Sequence, residues 1–279
     1  MAFSGFRGRT SVVGIDLGTT YSVLAVRATG GGIGKVEVVP DYSNAISTSS
    51  PIVPSVVYYP DGRNQNSKIV GRKAKVMIGS DPRNVIYNAK RFIGRDYNDP
   101  AVSPHAKFHA FGVVPPPPSN ATTPSLSGVA FQLSSSQILS PEEVGSHVVS
   151  HLLDNAKKYL GHAQITTAVV AVPAKFNAKQ RRATALAFNL AGLKVARMLE
   201  EPTAAAIAYG LHRKDNVHHI LVYDFGGGTL DVSVLHVSDG YVDVIGSEGD
   251  DLLGGADFDR AVGESCLPST SSLFNSALV

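Results

Sequence analysis

A glycine-rich turn between two apolar segments most constrains what this chain can fold into. Residues 221–234 read LVYDFGGGTLDVSV, and the apolar pattern on each side of the turn predicts two adjacent β-strands. Gly226, Gly227 and Gly228 have no Cβ, so the backbone amides of the turn can face inward and form a concave anion site. A plain glycine-rich hairpin is the simplest alternative, and three glycines alone favour that alternative.

Two carboxylates change the balance between these interpretations. Asp224 ends the first apolar segment, Asp231 lies one step into the second, and the Thr229 hydroxyl stands at the rim of the turn. A hard cation with its water shell would neutralise both Asp224 and a polyphosphate in the same space. An aspartate on each side of the glycines therefore favours phosphate binding over a plain hairpin.

The same design occurs near the N-terminus, where residues 12–22 read VVGIDLGTTYS. An apolar strand, an aspartate, a Gly-Thr-Thr turn and a second strand follow one another, as they do at residues 221–234. A third predicted strand comes after each pair, at residues 35–39 and 241–245. We interpret this as an internal repeat of a three-strand meander with a phosphate loop at its first turn. Two such loops facing each other would clamp one polyphosphate between two lobes.

Five segments carry a family resemblance by their order and spacing: GIDLGTTYS, NAKRFIGR, EEPTAAAIAYGL, YDFGGGTLDVS and LGGADFD. Together they resemble the ATPase domain of the seventy-kilodalton heat-shock protein (Hsp70) family, within the actin-like ATPase superfamily. The resemblance covers residues 11–259, and EEPTAAAIAYGL is its most specific part, because sugar kinases and actin share only the loops. YNAKRFIG and YGLH also resemble the family's short microsomal member, which has no peptide-binding domain.

The resemblance implies a metal and nucleotide site for Mg²⁺ with ATP or ADP. By this resemblance Asp16 and Asp224 hold the metal through water, and Glu201 helps to position the metal and its waters. The backbone and hydroxyls of the two turns would cradle the phosphates. The implied phosphate-binding residues are Gly18, Thr19, Thr20, Tyr21, Gly226, Gly227, Gly228 and Thr229.

The resemblance also assigns Lys90 to the terminal phosphate and the attacking water, together with Asp231 and Thr229. Position in the sequence alone favours a simpler interpretation, in which Lys90 and Arg91 are a solvated pair near the end of a helix. Glu201 could likewise only cap the helix that follows it. The functional assignments of Lys90 and Glu201 therefore come from the resemblance.

Capping signals predict two helices of the first lobe. Ser140 with Glu143 forms a capping box and Gly161 ends that helix, while Asn177 with Gln180 caps a second helix. Other predicted helices cover residues 72–78, 82–93 and 202–211, and other predicted strands cover 55–59, 166–173 and 193–199. The inward stripe of the first capped helix is predicted to be Val144, Val148, Leu152, Ala156 and Tyr159.

This order predicts an α/β chain with the actin-like ATPase, ribonuclease H-like two-lobe fold, its second lobe incomplete. The first lobe is expected at 11–213 with an insert at about 42–139, and half of the second lobe at 218–263. Residues 264–279 are expected to be a disordered tail outside the family. We expect a truncated domain, and a natural isoform, a pseudogene product and an incorrect gene model explain it equally.

Composition excludes several classes of protein. A net charge of +2 without basic runs argues against nucleic-acid binding, and no segment approaches the length of a membrane span. A single cysteine excludes an internal disulfide, and the first residues show no signal peptide. We expect a cytoplasmic protein, with the endoplasmic reticulum as the alternative.

Two functions remain from this reading. The first is a Mg²⁺-dependent ATP hydrolase of a molecular chaperone that assists protein folding. The second is a truncated, non-catalytic module that binds co-chaperones and has weak nucleotide affinity. The resemblance implies J-domain co-chaperones and nucleotide exchange factors as partners, and unfolded polypeptide only if a peptide-binding domain exists elsewhere.

Overall fold

The computed structural model of the protein describes residues 11–27, 36–43, 50–60, 67–117, 125–161 and 164–266. Its strands are β1 (Ser11–Leu17), β2 (Tyr21–Arg27), β3 (Val36–Val38), β4 (Val53–Pro54), β5 (Val57–Tyr58), β6 (Ile69–Val70), β7 (Val85–Ile86), β8 (Gly112–Val114), β9 (Ala130–Gln132), β10 (Ile138–Leu139), β11 (Ile165–Val172), β12 (Lys194–Glu200), β13 (His219–Phe225), β14 (Leu230–Ser238) and β15 (Tyr241–Asp250). The helices are α1 (Arg72–Val76), α2 (Val102–Ala106), α3 (Pro141–Leu160), α4 (Ala178–Leu190), α5 (Glu201–Ala208) and α6 (Gly255–Cys266). The predictions for Lys35 and for residues 267–279 lie outside the described residues.

The first sheet has the strand order β12-β11-β1-β2-β3, with β4 also paired to β2. The meander β1-β2-β3 is antiparallel, whereas β11 joins β1, and β12 joins β11, in parallel. Parallel neighbours need crossover connections, which α3 and α4 provide. The mixed α/β sheet expected from the sequence is confirmed.

Helix α3 begins and ends where its capping residues predict. The Ser140 hydroxyl accepts from the Glu143 amide at 3.1 Å, and the Glu143 carboxylate accepts from the Ser140 amide at 2.7 Å. Gly161 ends the helix with φ of 72°, in the left-handed region that favours glycine. Asn177 and Gln180 cap α4 in the same reciprocal way.

The inward face of α3 packs on the first sheet and forms most of the core. The predicted stripe is buried except at Tyr159, which is exposed, so that part of the prediction is wrong. Tyr159 is the penultimate residue of the helix, and its hydroxyl donates to the Glu37 carboxylate at 2.5 Å. Tyr159 thus makes a hydrogen bond at the protein surface and is not buried in the core.

The predicted helix at residues 82–93 is wrong. Val85 and Ile86 form strand β7, which pairs with β5, and short 3₁₀ turns at Pro82–Asn84 and Ala89–Arg91 flank it. Both strand residues are fully buried, and their β-branched side chains suit a pleated surface. Asn88 then takes φ of 58°, which breaks any helical path. Pairing and burial therefore overrode the local helical pattern.

The second sheet is the antiparallel meander β13-β14-β15, as the internal repeat predicts. Its core is small and consists of Ala206, Ile220, Leu235 and Val237 with partly buried neighbours. Helix α5 was predicted as the last helix of the first lobe, but its Ala206 packs against the second sheet. The small side chain of Ala206 allows this close approach of a helix to a sheet.

Helix α6 continues to Cys266. The prediction that a disordered tail starts at residue 264 is therefore wrong for residues 264–266. Its first turn is fixed: Gly255 N donates to Gly226 O at 3.0 Å, and Gly254 N donates to the Asp257 carboxylate at 2.8 Å. Once a first turn is held, each added helical residue costs little.

No helix among the described residues has both the length and the apolarity that crossing a membrane would need.

We expect the amide hydrogens of the second sheet to exchange faster than those of residues 140–199. One face of β13 is open, with Leu221 67% and Tyr223 65% exposed, and the core on the other face is small. Elements with few buried apolar contacts open at low free energy. Hydrogen exchange followed by mass spectrometry checks this, and equal protection of the second sheet and of residues 140–199 would contradict it.

Candidate functional site

A cavity of about 460 Å³ lies between the sheet that contains β1 and the sheet that contains β13. The turn after β1, the turn after β13, the 3₁₀ turn before Phe92 and the start of α5 all contribute to its wall. Every residue that the sequence analysis assigned to a site lines this cavity. These residues are Asp16, Gly18, Thr19, Thr20, Tyr21, Lys90, Glu201, Asp224, Gly226, Gly227, Gly228, Thr229 and Asp231.

Helix α6 orients the backbone of the glycine turn after β13. The Gly226 carbonyl accepts from Gly255 N at 3.0 Å, and the Gly227 carbonyl accepts from Ala256 N at 2.9 Å. In a trans peptide the N–H points opposite to the C=O, and the described backbone has no cis bond. The amides of Gly227 and Gly228 therefore point away from α6. Among the described residues they have no acceptor, so they are available to an anion.

Ser55 does the same for the turn after β1. Its amide donates to Thr20 O at 2.9 Å, and its hydroxyl donates to Gly18 O at 2.8 Å. By the same trans geometry, the amides of Thr19 and Tyr21 point away from Ser55. Sequence reasoning assigned residue 55 only to a strand, since nothing in the residues around it indicates which turn it supports.

The two turns face each other at close range. A methyl group on Gly227 would lie 2.4 Å from the Thr20 Oγ1, and one on Gly228 would lie 3.0 Å from the Thr19 Cγ2. Only residues without a Cβ allow this approach. The structure thus brings together the two halves of the clamp that the internal repeat predicts.

Lys90 and Glu201 form an ion pair at the cavity, with 2.8 Å between Nζ and Oε1. Their side chains are 10% and 18% exposed, so the interpretation of Lys90 as a solvated helix-end residue is wrong. Burial opposes the charge of Lys90, but the carboxylates of Glu201 and Asp16 together raise its pKa above the ordinary value. The ammonium also lies 5.9 Å from the centre of the Phe176 ring, a contact that sequence reasoning missed.

Negative charge is concentrated on the same side of the cavity. Asp224 and Asp231 are directly paired across β13 and β14, and Asp16 is the penultimate residue of strand β1. Their surroundings raise the pKa of each carboxyl, first through loss of solvation and then through Glu201 and neighbouring aspartates. For Asp16, the nearby charge of Lys90 opposes this rise of the pKa.

This donor set fits a hydrated cation. Within the described ranges, no three His, Cys, Asp or Glu side chains converge closely enough to bind one metal ion directly. Several carboxylates around an open cavity suit a hard cation that keeps its water shell. Asp16 and Asp224 are the residues that would hold those waters.

Arginines close the cavity on the side of the insert. Arg91 donates through Nη1 to Asp251 O at 2.9 Å and contacts His105 Nδ1 at 2.9 Å, while Arg95 pairs with the Asp251 carboxylate at 2.6 Å. Burial, and then the charge of Arg91, lowers the pKa of His105 to about 4.

Sequence reasoning missed these contacts as part of the site. Arg91 and Arg95 belong to the segment NAKRFIGR, and Asp251 lies just before LGGADFD. Their position in or near these family segments is the signal that could have indicated a role at the site. His105 had no such signal.

The sheet order and the paired turns around one cavity are those of the actin-like ATPase fold class. The comparison with protein families agrees and is more specific: the family model described as Hsp70 protein matches residues 12–271. The chain belongs to the Hsp70 protein family. The matched range includes residues 264–271, which the sequence analysis had left outside it.

Proposed function

We propose that this chain binds Mg²⁺-ATP in the cavity and hydrolyses it as the ATPase domain of an Hsp70-type chaperone. The observation that carries the proposal is the pair of turns that face each other with oriented amides. Those turns lie in one cavity with the Lys90–Glu201 pair. Family membership supports a nucleotide-binding domain of chaperone type, and hydrolysis is the finer step that we add.

The amides of Thr19, Tyr21, Gly227 and Gly228 would bind phosphate oxygens from two sides. Bound Mg²⁺ would supply neutralisation of the phosphate charge, and Asp16 and Asp224 would hold its water shell. Because the amides are already oriented by Ser55 and α6, they need little reorganisation when charge develops on the phosphates.

Lys90 would stabilise the charge that develops on the terminal phosphoryl group. Glu201 holds its ammonium in place, so the donor is positioned before substrate enters. Asp231 and the Thr229 hydroxyl line the same cavity and would orient the attacking water by hydrogen bonds. Catalysis of this kind depends on positioning and electrostatics, as in other phosphoryl-transfer enzymes.

The partners and compartment follow from the family as proposals. J-domain co-chaperones and nucleotide exchange factors would act on this domain, and unfolded polypeptide would be a partner only through a separate peptide-binding domain. The cytoplasm is the compartment that we propose, with the endoplasmic reticulum as the alternative.

A non-catalytic binding module is the second candidate, because the open face of β13 exposes Leu221, Tyr223 and Phe225. A face of this kind suits a protein partner. Calorimetric titration with ATP and single-turnover hydrolysis by the purified chain distinguish the two functions. Mg²⁺-dependent binding with turnover supports the hydrolase, whereas binding without turnover supports the module.

We expect Asp16→Asn and Asp224→Asn each to weaken ATP binding in the presence of Mg²⁺ more than in its absence. The partner of both carboxylates is the water shell of the metal, and charge-assisted contacts contribute roughly 1.5–3 kcal/mol each. Asp243→Asn, at an exposed carboxylate of β15 outside the cavity, is the control. Titration with and without Mg²⁺ is the measurement, and equal losses under both conditions would indicate a structural role.

A further inference from the structure

A fully buried carboxylate lies close to the cavity without lining it. Glu142, in the first turn of α3, has no exposed surface. Its Oε1 accepts from the amides of Leu126 and Ser127 and from the Ser127 hydroxyl, each at 2.9 Å, and its Oε2 accepts from the Ser125 hydroxyl at 3.1 Å. Four donors compensate the burial of this group, which ties the segment 125–127 to α3.

The Ser127 hydroxyl extends this network to the segment that carries Lys90. Its oxygen accepts from the Gly94 amide at 2.7 Å. An amide can only donate, so the hydroxyl oxygen must be its acceptor, and the single hydroxyl hydrogen is left for Glu142. The direction of both hydrogen bonds is therefore fixed: the Gly94 amide donates to Ser127 Oγ, and the Ser127 hydroxyl donates to Glu142 Oε1.

Gly94 is connected to Lys90 by a tight turn. The Ile93 amide donates to the Lys90 carbonyl at 3.3 Å, and Ala89, Lys90 and Ile93 lie against Pro141 and Val144 of α3 around a small hollow. The Lys90 segment thus meets the first turns of α3 twice, once by direct packing and once through Ser127.

The far side of this segment is also closed. Gly94 has φ of 69°, and a Cβ there would lie 2.5 Å from the Gln180 Cα. The segment that contains Gly94 thus contacts α4 and residues 125–127. Loss of the hydrogen bond from Gly94 to Ser127 would allow this segment to move away from residues 125–127.

We propose that Glu142 is a positioning residue which, through Ser127 and Gly94, holds Lys90 in place to act on the phosphate end of the nucleotide. The kinetic consequence rests on the proposed function, whereas the effect on Lys90 itself does not. If the hydrogen bonds of Glu142 only stabilised the insert, their loss would affect folding and leave the rate of the chemical step unchanged.

The chain offers a matched pair of variants. Ser127→Ala removes the acceptor of the Gly94 amide, while Ser125→Ala removes a donor to the same carboxylate that has no contact with Gly94. Glu142→Gln is the third variant, because it keeps the shape of the side chain and removes its charge. All three are compared with the unmodified chain by single-turnover ATP hydrolysis, by ATP titration and by acetic anhydride labelling of Lys90 with mass spectrometry.

For Ser127→Ala we expect about tenfold slower hydrolysis, ATP affinity within about twofold, and faster labelling of Lys90, because small displacements of catalytic groups are costly. Glu142→Gln should change the same quantities in the same direction, and Ser125→Ala should change none. Equal labelling of Lys90 in the Ser125 and Ser127 variants overturns the inference, as does a normal hydrolysis rate in Ser127→Ala.

Labelling needs no nucleotide, so it separates this inference from the proposed function. If the unmodified chain hydrolyses no ATP, the proposed hydrolase is wrong. Faster labelling of Lys90 in Ser127→Ala alone would still support the positioning of Lys90, and unchanged labelling would overturn it.

Discussion

Lys90→Ala is expected to slow single-turnover ATP hydrolysis by roughly 10³-fold, the size of effect seen when one preorganised donor is removed from a developing charge. The Lys90 ammonium is buried at the cavity and held by Glu201 at 2.8 Å. Its backbone is not part of either glycine turn, so the amides that cradle phosphate stay in place. ATP affinity should therefore change far less than the rate.

Lys175→Ala is the control for this prediction. Lys175 also lines the cavity, but it pairs with the exposed Glu248 at 2.8 Å, and surface pairs of this kind contribute little. Hydrolysis at the normal rate by the Lys90 variant would show that the role assigned to Lys90 is wrong. An equal loss in both variants would indicate a general effect of positive charge at the cavity.

Gly254→Ala should lower ATP affinity at least about a hundredfold, which corresponds to about 2.7 kcal/mol. An added Cβ would lie 2.4 Å from Gly228 N and 2.6 Å from Gly227 C. These are backbone atoms that no side-chain rotation can move, so the glycine turn itself must shift. The shift would displace the amides that α6 orients toward the anion.

Gly246→Ala is the matched control, since a Cβ at that position meets nothing within 4 Å. Calorimetric titration with ATP measures both variants, and hydrogen exchange of β13–β15 shows whether each stays folded. Normal ATP affinity in folded Gly254→Ala protein would show that the position of this turn does not control binding.

The sequence alone determined those helix ends, turns and strands whose interactions involve residues only a few positions apart. Ser140 with Glu143 and Asn177 with Gln180 cap helices that start where predicted, because each cap satisfies amides three residues away. The two glycine turns followed from the same kind of reasoning. The strands around them were recognised because apolar alternation is a local property.

The family segments located the candidate site before any contact was known. All of the predicted site residues line one cavity, including Asp16 and Asp224, which are 208 positions apart in the sequence. Their roles in binding and hydrolysis remain predictions for the experiments above.

Tertiary structure alone decided the rest, because those features depend on partners far away in the chain. Val85 and Ile86 became a strand when pairing with β5 buried them, and α5 packed against the second sheet through Ala206. Ser55 donates to Gly18 of one phosphate turn from 37 residues away, and Glu142 is connected to the Lys90 segment through Ser127. A hydrogen bond between distant residues leaves no periodic or compositional trace, so the sequence shows the turns and the charges but not what holds them in place.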